Sequence, residues 1–250
     1  MIVLKLGGSV ITDKERPETL DGEALERAAD AVAAALDGGV DDLVIVHGGG
    51  SFGHHNASEH GVTTTEGTRD AGAALEIHGA MKALNQFVLR RLLERDVEAV
   101  PVHPFSAAHR DAAGDLELPT GQVATLLGEG FVPVLHGDMV AHAGSGATVV
   151  SGDELVAALA RDLEADRIGL CSTVPGVLDD DDAVIDRIAA YEDVAGVLGE
   201  SAATDVTGGM AAKVRALLAL EAEASVFGLA ELDAFLRGES AGTTIESSES

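Results

Sequence analysis

The 250-residue chain carries 43 acidic against 16 basic side chains, a formal net charge of −27. That balance argues against nucleic acid or an anionic membrane as a partner. With 46% apolar residues the length suits one large or two closely joined α/β domains, and a single unit is expected. No apolar run approaches about 20 residues, and Met1-Ile2-Val3 opens no basic-then-apolar leader, so neither a membrane span nor a signal peptide is expected.

The lone Cys171 leaves no internal disulfide to form and fits a reducing cytoplasm. Arginine outnumbers lysine twelve to four, and aromatics are only 3% of the chain. This composition points to a hypersaline archaeal cytoplasm: at ~1 M salt the Debye length falls to about 3 Å, so a carboxylate-rich surface stays hydrated without strong self-repulsion. Only Lys5, Lys14, Lys82 and Lys213 remain, and three of the four fall in Gly-containing motifs.

Ile2 to Leu6 reads as a short strand running into Gly7-Gly8-Ser9, a strand end where backbone N–H groups can meet an anion. Lys5 lies in that apolar strand, where an ammonium is costly unless it finds an anion. Lys14, in the polar stretch after it, is on sequence alone equally an exposed loop residue. From Asp21, a plausible N-cap, Leu25, Ala28, Ala29, Val32, Ala33 and Leu36 recur at helical spacing up to Gly38-Gly39.

The apolar run Leu43 to Val46 leads into His47-Gly48-Gly49-Gly50-Ser51-Phe52-Gly53-His54. Three adjacent glycines let the backbone approach a ligand, and a helix starting near Ser51 aims its positive end at the same point. The loop matches neither the Walker nor the dinucleotide spacing, so alone it favours phosphate binding only modestly over a flexible turn. A polar connection, Gly61 to Gly67, precedes a long helix over Thr68 to Arg95, with Leu75, Met81, Leu84, Val88 and Leu92 on one face. That stripe is core by default; the early part of it, Leu75, Met81 and Leu84, is the alternative wall of an apolar substrate pocket.

Glu98 to Val102 reads as a strand, His103 to Asp115 as loop, Pro119 or Thr120 to Gly130 as a helix, and Phe131 to Leu135 as a strand into His136-Gly137-Asp138. Met139 to Val150 reads as a hairpin, and Ser151 and Glu154 have capping-box spacing at the start of the next helix. Asp153 is then either a first-turn acid complementing the helix dipole or a carboxylate aimed into a site. Arg167 to Cys171 is the next strand, and the acidic run Asp179 to Asp182 is a solvated turn lacking the spaced ligands of a calcium loop. Thr204 to Met210 leads into a helix with Lys213 in its first two turns, a third phosphate-suited helix start. Ala224 to Gly228 and Thr243 to Ile245 are strands, Ala230 to Leu236 a short helix, and 246–250 an expected disordered tail. The alternation predicts an α/β three-layer αβα sandwich on a mainly parallel sheet, with ligands beyond the C-terminal strand ends.

Four separated motifs, Leu4 to Lys14, His47 to His54, Ser151 to Glu154, and Asp205 to Met210 with Lys213, occur in an order that resembles the amino acid kinase superfamily along nearly the whole chain, and within it the isopentenyl phosphate kinases. His54 is the most telling residue, although His55 beside it leaves open which imidazole faces a phosphate. The fosfomycin-resistance kinases share much of the pattern. The resemblance implies transfer of the γ-phosphoryl of ATP to isopentenyl phosphate, with Mg2+ carried on the nucleotide and no protein metal site. It places the acceptor in the N-terminal half (about 1–150), the nucleotide in the C-terminal half (about 151–245), and a homodimer in the cytoplasm. The implied catalytic set is Lys5, Lys14, His54, Asp153 and Lys213, the family match taking Asp153 as the acid that orients lysines. Gly8, Gly49, Gly50, Ser51, Gly53 and His54 would hold the acceptor. Lys5, Gly7, Gly8, Ser9, Lys14, Thr173, Val174, Gly176, Val177, Asp205, Gly208, Gly209 and Lys213 would hold ATP. Alternatives are a kinase for another small phosphate or phosphonate, fosfomycin or a nucleoside monophosphate among them, and a nucleotide-binding regulator that has lost catalysis.

Overall fold

A computed structural model describes residues 1–198 and 209–246. The apolar runs read from sequence form the centre of an eight-stranded sheet. Strands β1 (Ile2–Leu6) and β2 (Leu43–His47) pair in parallel, Lys5 opposite Val46 and Leu6 opposite His47. Between them lie the one-turn helix α1 (Gly8–Ile11) and helix α2 (Gly22–Asp37), which Asp21 caps by accepting from the Ala24 N–H. Helices α3 (Gly50–Glu59) and α4 (Ala71–Leu93) follow β2, and Asp70 caps α4.

The edge strand β3 (Ala99–Pro101) leads to two short strands, β4 (His109–Arg110) and β5 (Leu116–Glu117), and to helix α5 (Gly121–Gly128). Strand β6 (Val132–His136) re-enters the large sheet, after which β7 (Asp138–His142) and β8 (Gly146–Val150) make the expected hairpin. Helix α6 (Gly152–Asp162) and strand β9 (Arg167–Ser172) complete the next unit. The remaining elements are β10 (Arg187–Ile188), α7 (Ala195–Leu198), α8 (Gly209–Leu218), β11 (Glu223–Gly228), α9 (Leu232–Leu236) and β12 (Thr243–Ile245).

The large sheet runs β10-β12-β11-β9-β1-β2-β6-β3, and of its pairs only β11 with β12 is antiparallel. A smaller sheet, β5-β4-β7-β8, stands beside it. The period-2 alternation of each strand sorts the core into two layers. Leu4, Leu6, Leu43 and Ile45 pack with α2, α4 and α9 on one face. Val3, Val44, Val46 and Leu170 pack with α5, α6 and α8 on the other. The expected three-layer αβα sandwich is therefore the observed one.

Three local expectations change. Leu75 is 67% exposed while Ile77, Met81, Leu84, Val88 and Leu92 are buried. Six residues separate Leu75 from Met81, about 240° around the helix, whereas Ala74, Ile77, Met81 and Leu84 keep the i, i+3, i+4 steps of one face. The stretch 103–115 is not plain loop: it holds a 3₁₀ turn, Pro104–Ser106, and β4, whose His109 and Arg110 pair with β5 and β7. The two-residue β10 and one-turn α7 are too short to show a period. Asp179 to Asp182 forms a turn closed by a bridge between Leu178 and Val184. The tail beyond 246, and the 199–208 stretch that includes Asp205 and Gly208, lie outside the described residues.

Candidate active site

The C-terminal ends of β9, β1, β2 and β6 bring three backbone turns together. Gly7 donates to Cys171 O (2.9 Å), Gly48 to Leu6 O (3.0 Å), and Gly137 to His47 O (3.0 Å). The Gly7-Gly8 turn and the Gly48-Gly50 turn then touch backbone to backbone. A Cβ on Gly8 would stand 2.7 Å from Gly50 Cα and 2.8 Å from the Gly48 carbonyl carbon, so no side chain fits there. Gly50 adds a left-handed conformation, φ +50°. Among the described residues no acceptor meets the N–H groups of Gly8, Gly49 and Gly50. Outward N–H groups at the start of α3 suit an anion.

Lys5 reaches this place because strand alternation turns it with Val3 toward α6. Its Nζ donates to Asp153 Oδ1 at 2.6 Å, with the two side chains only 12% and 23% exposed. Asp153 occupies the first turn of α6, behind a complete capping box in which Ser151 and Glu154 satisfy each other's backbone N–H. Asp153 is thus a first-turn acid that complements the helix dipole and also accepts from the lysine. The Lys5 stem crosses Gly152, where an added Cβ would lie 3.1 Å from Lys5 Cε. Glu154 also accepts from Arg110 (2.6 Å), a 5%-exposed guanidinium that donates in addition to the Gly114 and Val149 carbonyls. Arg110 thus ties the small sheet to the start of α6.

His54 is exposed on the second turn of α3. His55, on another face, lies 3.7 Å from Glu59, one turn on. Lys14 is exposed on the excursion 13–19, whose return is fastened to α3. That fastening is Ser51. Its hydroxyl accepts from Thr19 N–H and donates to Thr19 O, each at 3.2 Å, and its N–H goes to Thr12 Oγ1 at 3.0 Å. Ser51 is buried with every polar group engaged, so it supports the loop and presents nothing to an acceptor. Gly53 likewise serves packing: a Cβ there would stand 2.7 Å from Met81 Sδ, fixing α3 against α4. Met81 and Leu84 are buried while Leu75 is 67% exposed on another face of α4, so these three side chains do not share one wall.

In the nucleotide-side set, Ser9 is half-buried in α1, Thr173 is exposed and Val174 half-buried after β9. Gly176 packs on Thr243, and Val177 is fully buried with its N–H on Thr243 Oγ1 (2.8 Å), so those two shape the turn from beneath. Gly209 begins α8 with φ +61°, Lys213 lies in the second turn of that helix, and α8 packs beside α6. Among the described residues no group of three or more His, Cys, Asp or Glu side chains converges on a metal-sized space.

A buried histidine array under the glycine turns had no sequence signal beyond the His47-Gly48 and His136-Gly137 pairs. His47 and His136 are both 0% exposed, and their rings stack at 5.5 Å. His103 contacts His136 (2.8 Å), and His78 contacts the buried Asp138 (2.8 Å), whose second oxygen accepts from Phe105 N–H. Burial pushes the His47 imidazole down to about 4, against a small upward effect of its Gly48 contact. His136 is pushed down to about 3 by burial, with Asp138 opposing, and His103 is also lowered by burial. All three stand neutral near pH 7. On β9, burial raises the Cys171 thiol to about 12, which makes it inert.

A model of the amino acid kinase family matches residues 1–226. The chain is 60% identical to the isopentenyl phosphate kinase of Haloferax volcanii over 98% of both chains. It is 34% identical to that of Methanocaldococcus jannaschii over the full length of both. Among solved structures, one described as X-ray structures of isopentenyl phosphate kinase superposes with TM-score 0.83 at 29% identity, covering 98% of this chain and 99% of the other. An isopentenyl phosphate kinase substrate complex gives TM-score 0.73 at 25% identity over 98% and 99%.

Proposed function

The chain belongs to the amino acid kinase family, and from that premise we infer that it transfers the γ-phosphoryl group of ATP to isopentenyl phosphate, yielding isopentenyl diphosphate and ADP. The observation that carries this reading is the backbone contact of the Gly7-Gly8 and Gly48-Gly50 turns at the strand ends, beside a Lys5 ammonium held by Asp153.

The chemistry follows from the acceptor. A phosphate monoester has a second pKa near ~6, so its attacking oxygen is anionic at neutral pH and needs no general base. Donors and cations then suffice, acting by position and by stabilising charge in an in-line transfer. We assign the Gly49 and Gly50 N–H groups and the His54 imidazole to the acceptor phosphate. Lys5, oriented by Asp153, neutralises charge on the transferring group, with Lys14 and Lys213 approaching from the 13–19 excursion and from α8. We assign the acceptor to the N-terminal half and ATP chiefly to the C-terminal half, with Thr173, Val174 and Gly209 flanking the nucleotide and Gly7, Gly8 and Ser9 reaching its phosphates from the N-terminal half. Magnesium, when bound, screens the ATP phosphates; it is assigned to the nucleotide, because the donors gathered here are N–H groups and cations, with Asp153 already engaged by Lys5.

The five-carbon chain is assigned to the apolar cluster of Ala57, Val62, Ala74, Ile77, Met139 and Val149 between α3, α4 and the hairpin. Ala57 lies three residues after His54, on the same side of α3. We further infer a cytoplasmic, salt-adapted homodimer. The single cysteine and the charge of −27 support the first two, and the exposed Phe87 and Leu93 of α4 support the third. No helix among the described residues is long and apolar enough to cross a membrane. Comparison of kcat/KM for isopentenyl phosphate, fosfomycin and nucleoside monophosphates tests the assignment: a preference for either of the latter would replace it.

A further inference from the structure

The buried histidine array has an arrangement that the reaction as described does not use. A carbonyl oxygen only accepts, so the 3.1 Å contact between His47 Nδ1 and Gly48 O places the ring proton on Nδ1. The same holds for His136 Nδ1 and Gly137 O at 2.9 Å. His136 Nε2 is then a lone pair, and the 2.8 Å contact from His103 Nδ1 is donation by His103. One tautomer is thereby set at three successive rings, and the stacked His136 ring backs that of His47.

The consequence falls on one peptide unit. Gly48 is held at both ends, its N–H on Leu6 O (3.0 Å) and its C=O on the His47 ring. Across a trans peptide the C=O and the following N–H point in opposite directions, and the chain contains no cis bond among its described residues. Anchoring Gly48 O on the buried ring therefore turns the Gly49 N–H away from the core, into the crevice between the ends of β2 and β6. There Gly49 N lies 3.9 Å from where a Gly137 Cβ would be. Without an anchor, a run of three glycines would leave that peptide free to rotate. His47 has no packing reason to be a histidine. It is fully buried, its Nε2 has no partner, and an apolar residue would suit the site better.

We propose that His47 is a positioning residue for phosphoryl transfer: its Nδ1–H locks the Gly48-Gly49 peptide so that the Gly49 N–H faces the acceptor phosphate, and His136 with His103 holds that ring in place. The inference rests on the reading of the glycine turn as the acceptor-phosphate site. A preset donor lowers the barrier most in the transition state, so the effect belongs in turnover more than in ATP affinity.

His47→Asn, His47→Gln and His47→Leu separate the atoms involved. The Asn amide nitrogen occupies the place of Nδ1, whereas the Gln amide reaches the place of Nε2. Each variant is checked for folding by its melting curve in multimolar KCl, and transfer to isopentenyl phosphate is followed by phosphorus NMR. His47→Asn is expected to keep turnover within about threefold of the parent, while His47→Gln and His47→Leu lose on the order of 10- to 100-fold in kcat with the KM for ATP within about twofold. Should His47→Leu fail to fold, the Asn and Gln pair alone decides. Equal turnover in the folded Asn and Gln variants, or a loss confined to the KM for ATP, overturns the proposal. A parent chain that transfers to no phosphate acceptor overturns the underlying reading with it; one that prefers another phosphate acceptor overturns only the isopentenyl assignment, and the same three variants are then compared on that acceptor.

Discussion

Lowering the pH should destabilise this protein through two imidazoles before its carboxylates contribute. His47 titrates at about 4 and His136 at about 3 in the native chain, against 6.5 for an ordinary histidine. A depressed native value means that the unfolded state binds protons the native state refuses. The stability is therefore fully present above about pH 6.5 and is lost as the pH falls toward the native values, at about 1.4 kcal/mol per pH unit and per group. Between about pH 7 and about pH 5 each histidine accounts for about 2 kcal/mol, and the pair for about 4, a large share of a typical 5–15 kcal/mol. Guanidinium unfolding at fixed multimolar KCl over that range measures the loss. His136→Gln removes one titrating imidazole, so its stability should fall less steeply with acid, by about one proton. An identical slope in the variant and the parent would mean that His136 titrates alike folded and unfolded, and the argument from burial would fail.

Replacing His54 with Ala should cut turnover on the order of 100-fold with ATP affinity little changed, whereas the same change at His55 should be nearly silent; steady-state kinetics in high salt distinguishes them. Lys5→Met and Asp153→Asn should both lower kcat, the lysine variant more, and near-parental turnover in Lys5→Met would remove it from the mechanism. Gly152→Ala sits 3.1 Å from Lys5 Cε and should cost about tenfold in kcat while leaving the melting temperature unchanged or slightly raised, because the methyl displaces the ammonium but favours the helix. Dilution from multimolar KCl to dilute buffer should lower the melting temperature of a chain with charge −27; an unchanged value would refute the salt-adaptation reading.

The sequence was most legible where chemistry and periodicity agreed. Leu43 to Val46 and Ile168 to Cys171 are buried in a parallel sheet, and buried strands of that kind announce themselves as continuous apolar runs. Asp21 and Ser151 were readable as caps because a cap needs a short oxygen at one defined place. Asp153 was ambiguous in its own segment, since its partner Lys5 lies 148 residues away and only the family pattern joined the two. Ser51 and Gly53 stood in a ligand-like motif but serve the hydroxyl clasp to Thr19 and the contact with Met81. Such duties depend on packing partners that no local pattern names. The histidine array was hidden for the same reason: His78, His103 and His136 come from α4, the turn after β3 and the end of β6, and meet only because β6 pairs with both β2 and β3. Arg110 is another such residue, a two-residue strand placing a buried guanidinium against Glu154.

The most direct test is phosphorus NMR of the purified protein with Mg-ATP and isopentenyl phosphate in multimolar KCl, where coupling enzymes are not needed. The account predicts that the monophosphate resonance is replaced by the two resonances of a diphosphate while ATP is converted to ADP. Persistence of both substrates beside demonstrably folded protein, with turnover appearing only when fosfomycin or a nucleoside monophosphate is supplied, would contradict it.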